Sequence, residues 1–87
     1  MAWKVEIKSS AVKEITRFDK TTQRRIFDFL KEIESSTDPR ILLQPYAGPL
    51  AGYWKKRLGD YRLICEIDDR TITVIVMKAG HRSKVYD

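Results

Sequence analysis

The sequence predicts an α+β domain in which a two-helix antiparallel hairpin packs on one face of a mostly antiparallel four-stranded sheet. Three observations predict this class and the order β-α-α-β-β-β. The N-terminal residues alternate between apolar and charged, two segments with helical spacing follow, and three strand-like segments come after a loop. The 87 residues are enough for a single domain, residues 1–87, near the lower limit for folding on one core.

The first half of the chain predicts one strand and two helices. Trp3, Val5 and Ile7 alternate with charged residues, as in a half-buried strand. Ser9-Ser10 then offers an N-cap for a first helix. The apolar positions expected to face the core in this helix are Ala11, Val12, Ile15 and Phe18. After the short connection 19–21, a second amphipathic helix is predicted from a stripe at helical spacing, formed by Ile26, Phe29, Leu30 and Ile33.

The second half of the chain predicts a loop and three strands. Residues 35–52 contain three prolines and two glycines, which indicates a loop, with Leu42 and Leu43 packed on the core. The predicted strands are Tyr53–Leu58, Tyr61–Asp68 and Thr71–Lys78. Gly59-Asp60 suits a two-residue turn, and residues 68–70 close the second hairpin. Gly80 is expected to break the last strand.

The positive charge is concentrated in two short windows. The net charge is +5, of which residues 53–62 contribute +3 through four cations and one acid. Residues 78–87 contribute the other +2, so the remaining residues balance to zero. A generally basic surface would spread this charge, so the pattern favours a localised anion-binding patch.

Composition excludes several classes of protein and of site. No segment approaches the roughly 20 apolar residues of a membrane span, and the N-terminus lacks the apolar run of a signal peptide, so a cytoplasmic protein is expected. The lone Cys65 excludes an intramolecular disulfide, and with a single histidine no metal site or cofactor is expected. Cys65 lies in the apolar run LICEI and is predicted to be a buried structural thiol.

The predicted turn at Gly59-Asp60 fixes which side chains share a face of the sheet. It places Arg57 opposite Arg62, and alternation puts Lys55 on their face, away from the helices. Like charges directly opposed repel by about 0.2–1 kcal/mol, and a bound anion would turn that repulsion into attraction. The competing interpretation is a solvated basic face neutralised by Glu66 or by helix acids. Lys56 falls on the opposite face, unless a one-residue bulge exchanges it with Lys55.

Two motifs resemble the RelE/ParE superfamily of toxins from toxin–antitoxin systems. They are W-K-K-R-L-G-D-Y-R at 54–62 and A-G-H-R-S-K-V-Y at 79–86. The resemblance implies a type II toxin whose relatives divide by function. RelE-type toxins are ribosome-dependent endoribonucleases that cut mRNA in the A site and so inhibit translation. ParE-type toxins poison DNA gyrase without nuclease activity, and this is the alternative. The basic residues retained in both motifs favour the RelE type.

The resemblance also implies catalytic roles. Arg62 and Arg82 would stabilise charge on the transition state when the 2′-hydroxyl of RNA attacks the adjacent phosphate. Lys55 and Arg57 would position that phosphate. Tyr86 would stack on a base or act as general base.

The general base stays open between two residues. A phenol titrates near ~10, so Tyr86 would act near neutral pH only with a pKa lowered by nearby cations. His81, with an ordinary pKa near ~6.5, is the alternative acid or base.

The implied partners are a cognate RelB-like antitoxin, the ribosomal A site with its ribosomal RNA, and the mRNA substrate. No membrane partner is expected, and operator DNA is expected to be contacted only through the antitoxin. A third option is a basic RNA- or DNA-binding module without catalysis, although base-edge readers are not evident in the sequence.

Overall fold

Two helices lie on one face of a mixed five-stranded sheet, which confirms the α+β class and the predicted order of the main elements. The structure is a computed structural model, and it describes residues 3–81. The strands are β1 (Lys4–Ile7), β2 (Gln44–Pro45), β3 (Trp54–Leu58), β4 (Tyr61–Asp68) and β5 (Thr73–His81). The helices are α1 (Ser9–Thr16) and α2 (Lys20–Ser35). Two short 3₁₀ turns, Pro39–Leu42 and Gly48–Leu50, lie in the segment predicted to be a loop.

The sheet order is β1-β5-β4-β3-β2, so β5, the last strand in the sequence, lies between β1 and β4. Strand β5 runs parallel to β1 and antiparallel to β4, and the remaining pairs are antiparallel. The prediction of four strands missed β2, a two-residue edge strand in which Gln44 pairs with Lys55. Two residues, one of them a proline without an amide hydrogen, are too few to produce an alternating pattern.

Strand β5 differs from its prediction at both ends. It begins at Thr73 rather than Thr71, because Ile72 has a positive φ of 49° and closes the preceding turn. It continues through Gly80 to His81, so the expected break at Gly80 is wrong. Gly80 pairs with Arg62 of β4, and this pairing with a neighbouring strand keeps the glycine extended.

The core lies between the helices and the sheet. All four residues of the predicted α2 stripe are buried, and they pack with Leu63, Cys65, Val74 and Val76 of the sheet. Leu43 is also buried there, as predicted, and Leu42 packs against the same core. Val12 of α1 is 42% exposed, so its predicted core position is wrong.

The two helices begin differently. Helix α1 already includes Ser9, and the N-cap position is Lys8 without a side-chain hydrogen bond, so the predicted Ser9-Ser10 cap is wrong. Helix α2 is capped by Asp19, whose carboxylate accepts hydrogen bonds from the amide and hydroxyl of Thr22. These bonds lower the pKa of Asp19. Neither helix in residues 3–81 is long and apolar enough to cross a membrane.

Candidate phosphate-binding face

The β3–β4 hairpin has the predicted register. Leu58 pairs with Tyr61 across the Gly59-Asp60 turn, and Arg57 pairs with Arg62. The pairing continues without a shift to Trp54 and Cys65, so no bulge exchanges the two lysines. Gly59 has a φ of +62°, a conformation that glycine adopts at little cost at the first central position of a hairpin turn.

Side chains of successive residues in the hairpin point to opposite faces of the sheet. Leu63 and Cys65 join the core under the helices, whereas Ile64 packs with Tyr46, Tyr53 and Leu50 on the other side of the sheet. The helices leave this second side uncovered. We call it the open face.

Neighbouring lysines on β3 therefore point in opposite directions. The Lys55 ammonium lies 5.2 Å from the ring centroid of Tyr46 on the open face. The Lys56 ammonium lies 4.8 Å from the ring centroid of Phe29, which belongs to α2. The predicted separation of the two lysines is confirmed, and Lys56 belongs to the helix side.

Arg57 and Arg62 are opposed on the open face but differ in environment. Arg57 is exposed, whereas Arg62 is only 9% exposed. Arg62 pairs with Arg57 on one side and with Gly80 on the other. Because a buried side chain has fewer accessible rotamers, Arg62 is suited to hold its guanidinium in a fixed position, with the exposed Arg57 free to adjust to a ligand.

A fourth cation, Lys78, was missed as a site residue. It is exposed and pairs with Ile64, so it shares the open face with Lys55, Arg57 and Arg62. The sequence feature that could have identified it is its position directly after the apolar run ITVIVM. We refer to Lys55, Arg57, Arg62 and Lys78 as the open-face cations.

His81 lies on the helix side of the sheet, whereas Lys55, Arg57 and Arg62 lie on the open face. His81 pairs with Tyr61, and their rings meet edge to face with centroids 5.5 Å apart. Tyr61 in turn contacts Phe18, 4.5 Å away between centroids, on the helix side of the sheet. Arg82 and Tyr86 lie outside the described residues, so their predicted roles stay predictions.

A groove of about 390 Å³ runs beside the exposed part of this region. Lys55, Lys56 and Arg57 line it together with Ile41, which is 77% exposed. The Lys56 ammonium itself is directed to Phe29 on the helix side. The sequence pattern did not identify Ile41, because a single apolar residue in a proline-rich loop carries no periodicity. Cations beside apolar surface suit a ligand that combines phosphates with flat rings, as RNA does.

Cys65 has no part in this site. It is fully buried in the core, as predicted, and burial raises the pKa of its thiol to about 12. A thiol held neutral in this way is a poor nucleophile.

Comparisons with known proteins identify the family. Residues 5–86 match the family model described as the ParE toxin of the type II toxin–antitoxin system parDE. Toxin RelG of Mycobacterium tuberculosis is 37% identical over 51 residues, which are 59% of this chain and 59% of that protein.

Solved structures agree on the fold. The RelBE2 toxin–antitoxin complex of M. tuberculosis contains a chain that matches with a TM-score of 0.72 and 26% identity, over 94% of this chain and 100% of that one. The isolated E. coli RelE toxin matches with a TM-score of 0.75 and 22% identity, over 92% of this chain and 84% of that one. From the family match and this shared fold, we conclude that the chain belongs to the RelE/ParE superfamily and is a toxin of a type II toxin–antitoxin system.

Proposed function

We propose that this toxin is an endoribonuclease of the RelE type, which cuts mRNA in the ribosomal A site. The observation that carries the proposal is the direct pairing of Arg57 with Arg62, beside Lys55, on the face that the helices leave open. A protein that needed only a stable sheet would gain nothing from opposed cations at this position. An RNA phosphate between them supplies the missing negative charge.

The proposed reaction uses the nucleophile that RNA itself carries. The 2′-oxygen attacks the adjacent phosphorus, the bond from phosphorus to the 5′-oxygen breaks, and a 2′,3′-cyclic phosphate and a 5′-hydroxyl form. The proton leaves the 2′-hydroxyl and a proton reaches the departing 5′-oxygen. In between, negative charge accumulates on the phosphate oxygens, which Arg62 and Arg82 stabilise while Lys55 and Arg57 hold the phosphate.

We assign the proton transfer to Tyr86 rather than to His81. The contact of His81 with Tyr61 on the helix side supports this choice, because the open-face cations lie on the other side of the sheet. A general base must come within hydrogen-bond reach of the hydroxyl that it deprotonates. Near the open-face cations, the tyrosinate form of Tyr86 would be stabilised.

The proposed partners follow from the charge of the same face. Solved relatives include the intact E. coli RelBE toxin–antitoxin complex and the archaeal RelE–RelB complex from Pyrococcus horikoshii. We propose that a RelB-like antitoxin with an acidic segment covers the open-face cations and blocks RNA. The ribosome would orient the mRNA and so compensate for the use of a tyrosine, a weak general base at neutral pH.

The test is primer extension on mRNA bound to purified ribosomes. We expect wild-type toxin to cut in the A site and Arg62→Ala to slow cleavage by about 10²-fold or more, since it removes a transition-state donor. Lys56→Ala is the matched control, because this lysine is adjacent to Lys55 but points to the helix side, and it should cleave normally. Tyr86→Phe should lose more activity than His81→Ala, and adding the antitoxin should stop cleavage.

The gyrase alternative is favoured by one observation, the match of residues 5–86 to the ParE family model. The same purified protein separates the two functions in a DNA supercoiling assay with gyrase. Inhibition of gyrase together with intact mRNA on ribosomes would overturn the ribonuclease proposal. Equal cleavage by the wild type and Arg62→Ala would overturn the role given to the opposed arginines.

A further inference from the structure

The ladder between β4 and β5 contains a bulge close to the open-face cations. Ile64 pairs with Lys78, and the next residue of β4, Cys65, pairs with Val76. Strand β5 therefore has one extra residue at this point, Met77. A bulge of this kind changes the face to which all later side chains of the strand point.

The burial pattern follows this change. Val74 and Val76 are fully buried in the core, so unbroken alternation would bury Lys78 next and expose Ala79. Instead Ala79 is only 1% exposed and packs in the core, and Lys78 is exposed. The extra residue thus moves a lysine out of the core and onto the open face, opposite Ile64.

A side chain from α1 holds the strand directly after the bulge. The amide of Ala79 donates a hydrogen bond to Oε1 of Glu14, at 3.1 Å. A buried backbone amide without a partner would cost free energy, and a bulge disturbs the ladder that normally supplies one. Glu14 is half-buried on the helix that packs against β5, so its carboxylate binds the displaced amide from the helix side.

The position of Lys78 suits a second phosphate. Lys55, Ile64 and Lys78 form one row across three neighbouring strands, with the apolar Ile64 between the two lysines. Strands lie about 4.8 Å apart, so the two lysine backbones are separated by about 10 Å. The adjacent row contains Arg57 and Arg62, which we have assigned to the scissile phosphate. Lys78 extends this positive surface away from β3.

We propose that Lys78 is a further phosphate-positioning residue and that Glu14 sets its direction by holding the bulge. The inference rests on the proposed function, because it assigns Lys78 to the same RNA. It adds a cation that neither motif of the superfamily resemblance assigned and a helix residue that acts through the strand. Lys78 would bind a phosphate next to the scissile one and so fix the path of the RNA over the sheet.

The salt dependence of RNA binding by the free toxin tests this role without requiring cleavage. The probe is a fluorescent single-stranded RNA oligomer, titrated by anisotropy from about 50 to about 200 mM KCl. Each phosphate contact contributes about −0.7 to the slope of log K against log salt. We expect Lys78→Ala to make the slope less negative by about 0.7, and Lys56→Ala to leave it unchanged. An unchanged slope in Lys78→Ala, an equal change in Lys56→Ala, or no RNA binding by the wild type would overturn the proposal.

Two substitutions of Glu14 separate its hydrogen bond from its charge. Both Glu14→Gln and Glu14→Ala remove the negative charge, but only glutamine keeps an oxygen that accepts from Ala79. We expect Glu14→Gln to keep the wild-type slope and Glu14→Ala to resemble Lys78→Ala. In a Glu14→Ala background, Lys78→Ala should then cause little further change in the salt slope. Full additivity of the two alanine substitutions would overturn the action of Glu14 through Lys78.

The amide resonance of Ala79 gives a second readout for the bulge. It should shift in Glu14→Ala and change much less in Glu14→Gln. An Ala79 resonance that is the same in wild type and Glu14→Ala would also overturn the role of Glu14. A different result would separate this inference from the proposed function. If the wild type did not cleave mRNA on ribosomes but the salt slopes of RNA binding changed as expected, the nuclease proposal would fail and the Lys78 contact would stand.

Discussion

Lys55 and Lys56 show how far single residues could be assigned from sequence. Strict alternation away from the Gly59 turn separates them, and the structure confirms that Lys55 contacts Tyr46 while Lys56 lies over Phe29. The same rule, extended along β5, would have placed Lys78 in the core, because alternation contains no sign of the bulge before it. The bulge depends on tertiary contacts such as that from Glu14. The face to which a side chain points can therefore be predicted near a fixed turn, but not beyond an irregularity in the strand.

Cys65 gives a prediction for alkaline pH. Its pKa is raised from 9.0 to about 12 because burial disfavours the thiolate. The unfolded state therefore loses the thiol proton first, and stability that is complete below pH 9 falls as the pH rises toward 12. We expect the free energy of unfolding of wild type to fall by about 1.4 kcal/mol more per pH unit than that of Cys65→Ala. Urea unfolding at several pH values measures both slopes, and parallel slopes would contradict the prediction.

At the scale of elements, the β3–β4 hairpin was predictable and the ends of β5 were not. Gly59-Asp60 flanked by alternating residues fixes a two-residue turn and, with it, every pair in the hairpin. The start of β5 depends instead on Ile72, a β-branched residue with a positive φ of 49°, which no local preference favours. Its carbonyl accepts a hydrogen bond from Lys4 of β1, and it packs on the core. Tertiary contacts thus decide where this strand begins.

The hairpin turn gives a prediction about Gly59. Its φ of +62° favours glycine, and a Cβ atom there would lie 2.9 Å from Nη1 of Arg25, the movable end of a flexible side chain. Backbone strain is therefore the main cost, and we expect Gly59→Ala to lower the free energy of unfolding by about 1–2 kcal/mol. Gly59→Asn should cost less, because asparagine tolerates this conformation better. Equal losses in chemical denaturation would show that contact with Arg25, rather than φ, limits the site.

For the whole molecule, the uneven distribution of charge links stability to function. The net charge is +5, and the ten residues 53–62 contribute +3 of it. The sequence could predict this concentration and the place of three of the four cations on one side of the hairpin. It could not predict that Arg62 is nearly buried or that the loop residue Tyr46 contacts Lys55, because both depend on contacts between segments that are distant in the sequence.

Neutralising Arg57 should stabilise the free toxin and weaken its activity. At low salt we expect Arg57→Gln to raise the free energy of unfolding by about 0.2–1 kcal/mol, since it removes repulsion from Arg62. The gain should fade as salt screens the pair, while cleavage on ribosomes falls. Arg24→Gln, on the exposed side of α2, is the control and should give no gain. If Arg57→Gln were less stable than the wild type at low salt, repulsion between Arg57 and Arg62 would not be destabilising the free toxin.

The position of β5 has a consequence for how the toxin is made. This strand is the last of the five to leave the ribosome during synthesis, yet it lies inside the sheet and is the partner of both β1 and β4. A nascent chain that lacks it has a strand, two helices and a hairpin but no continuous core to join them. The open-face cations are therefore assembled only after β5 has been synthesised. The RNA-binding face that we propose would therefore be incomplete in any nascent chain that has not yet been extended through β5.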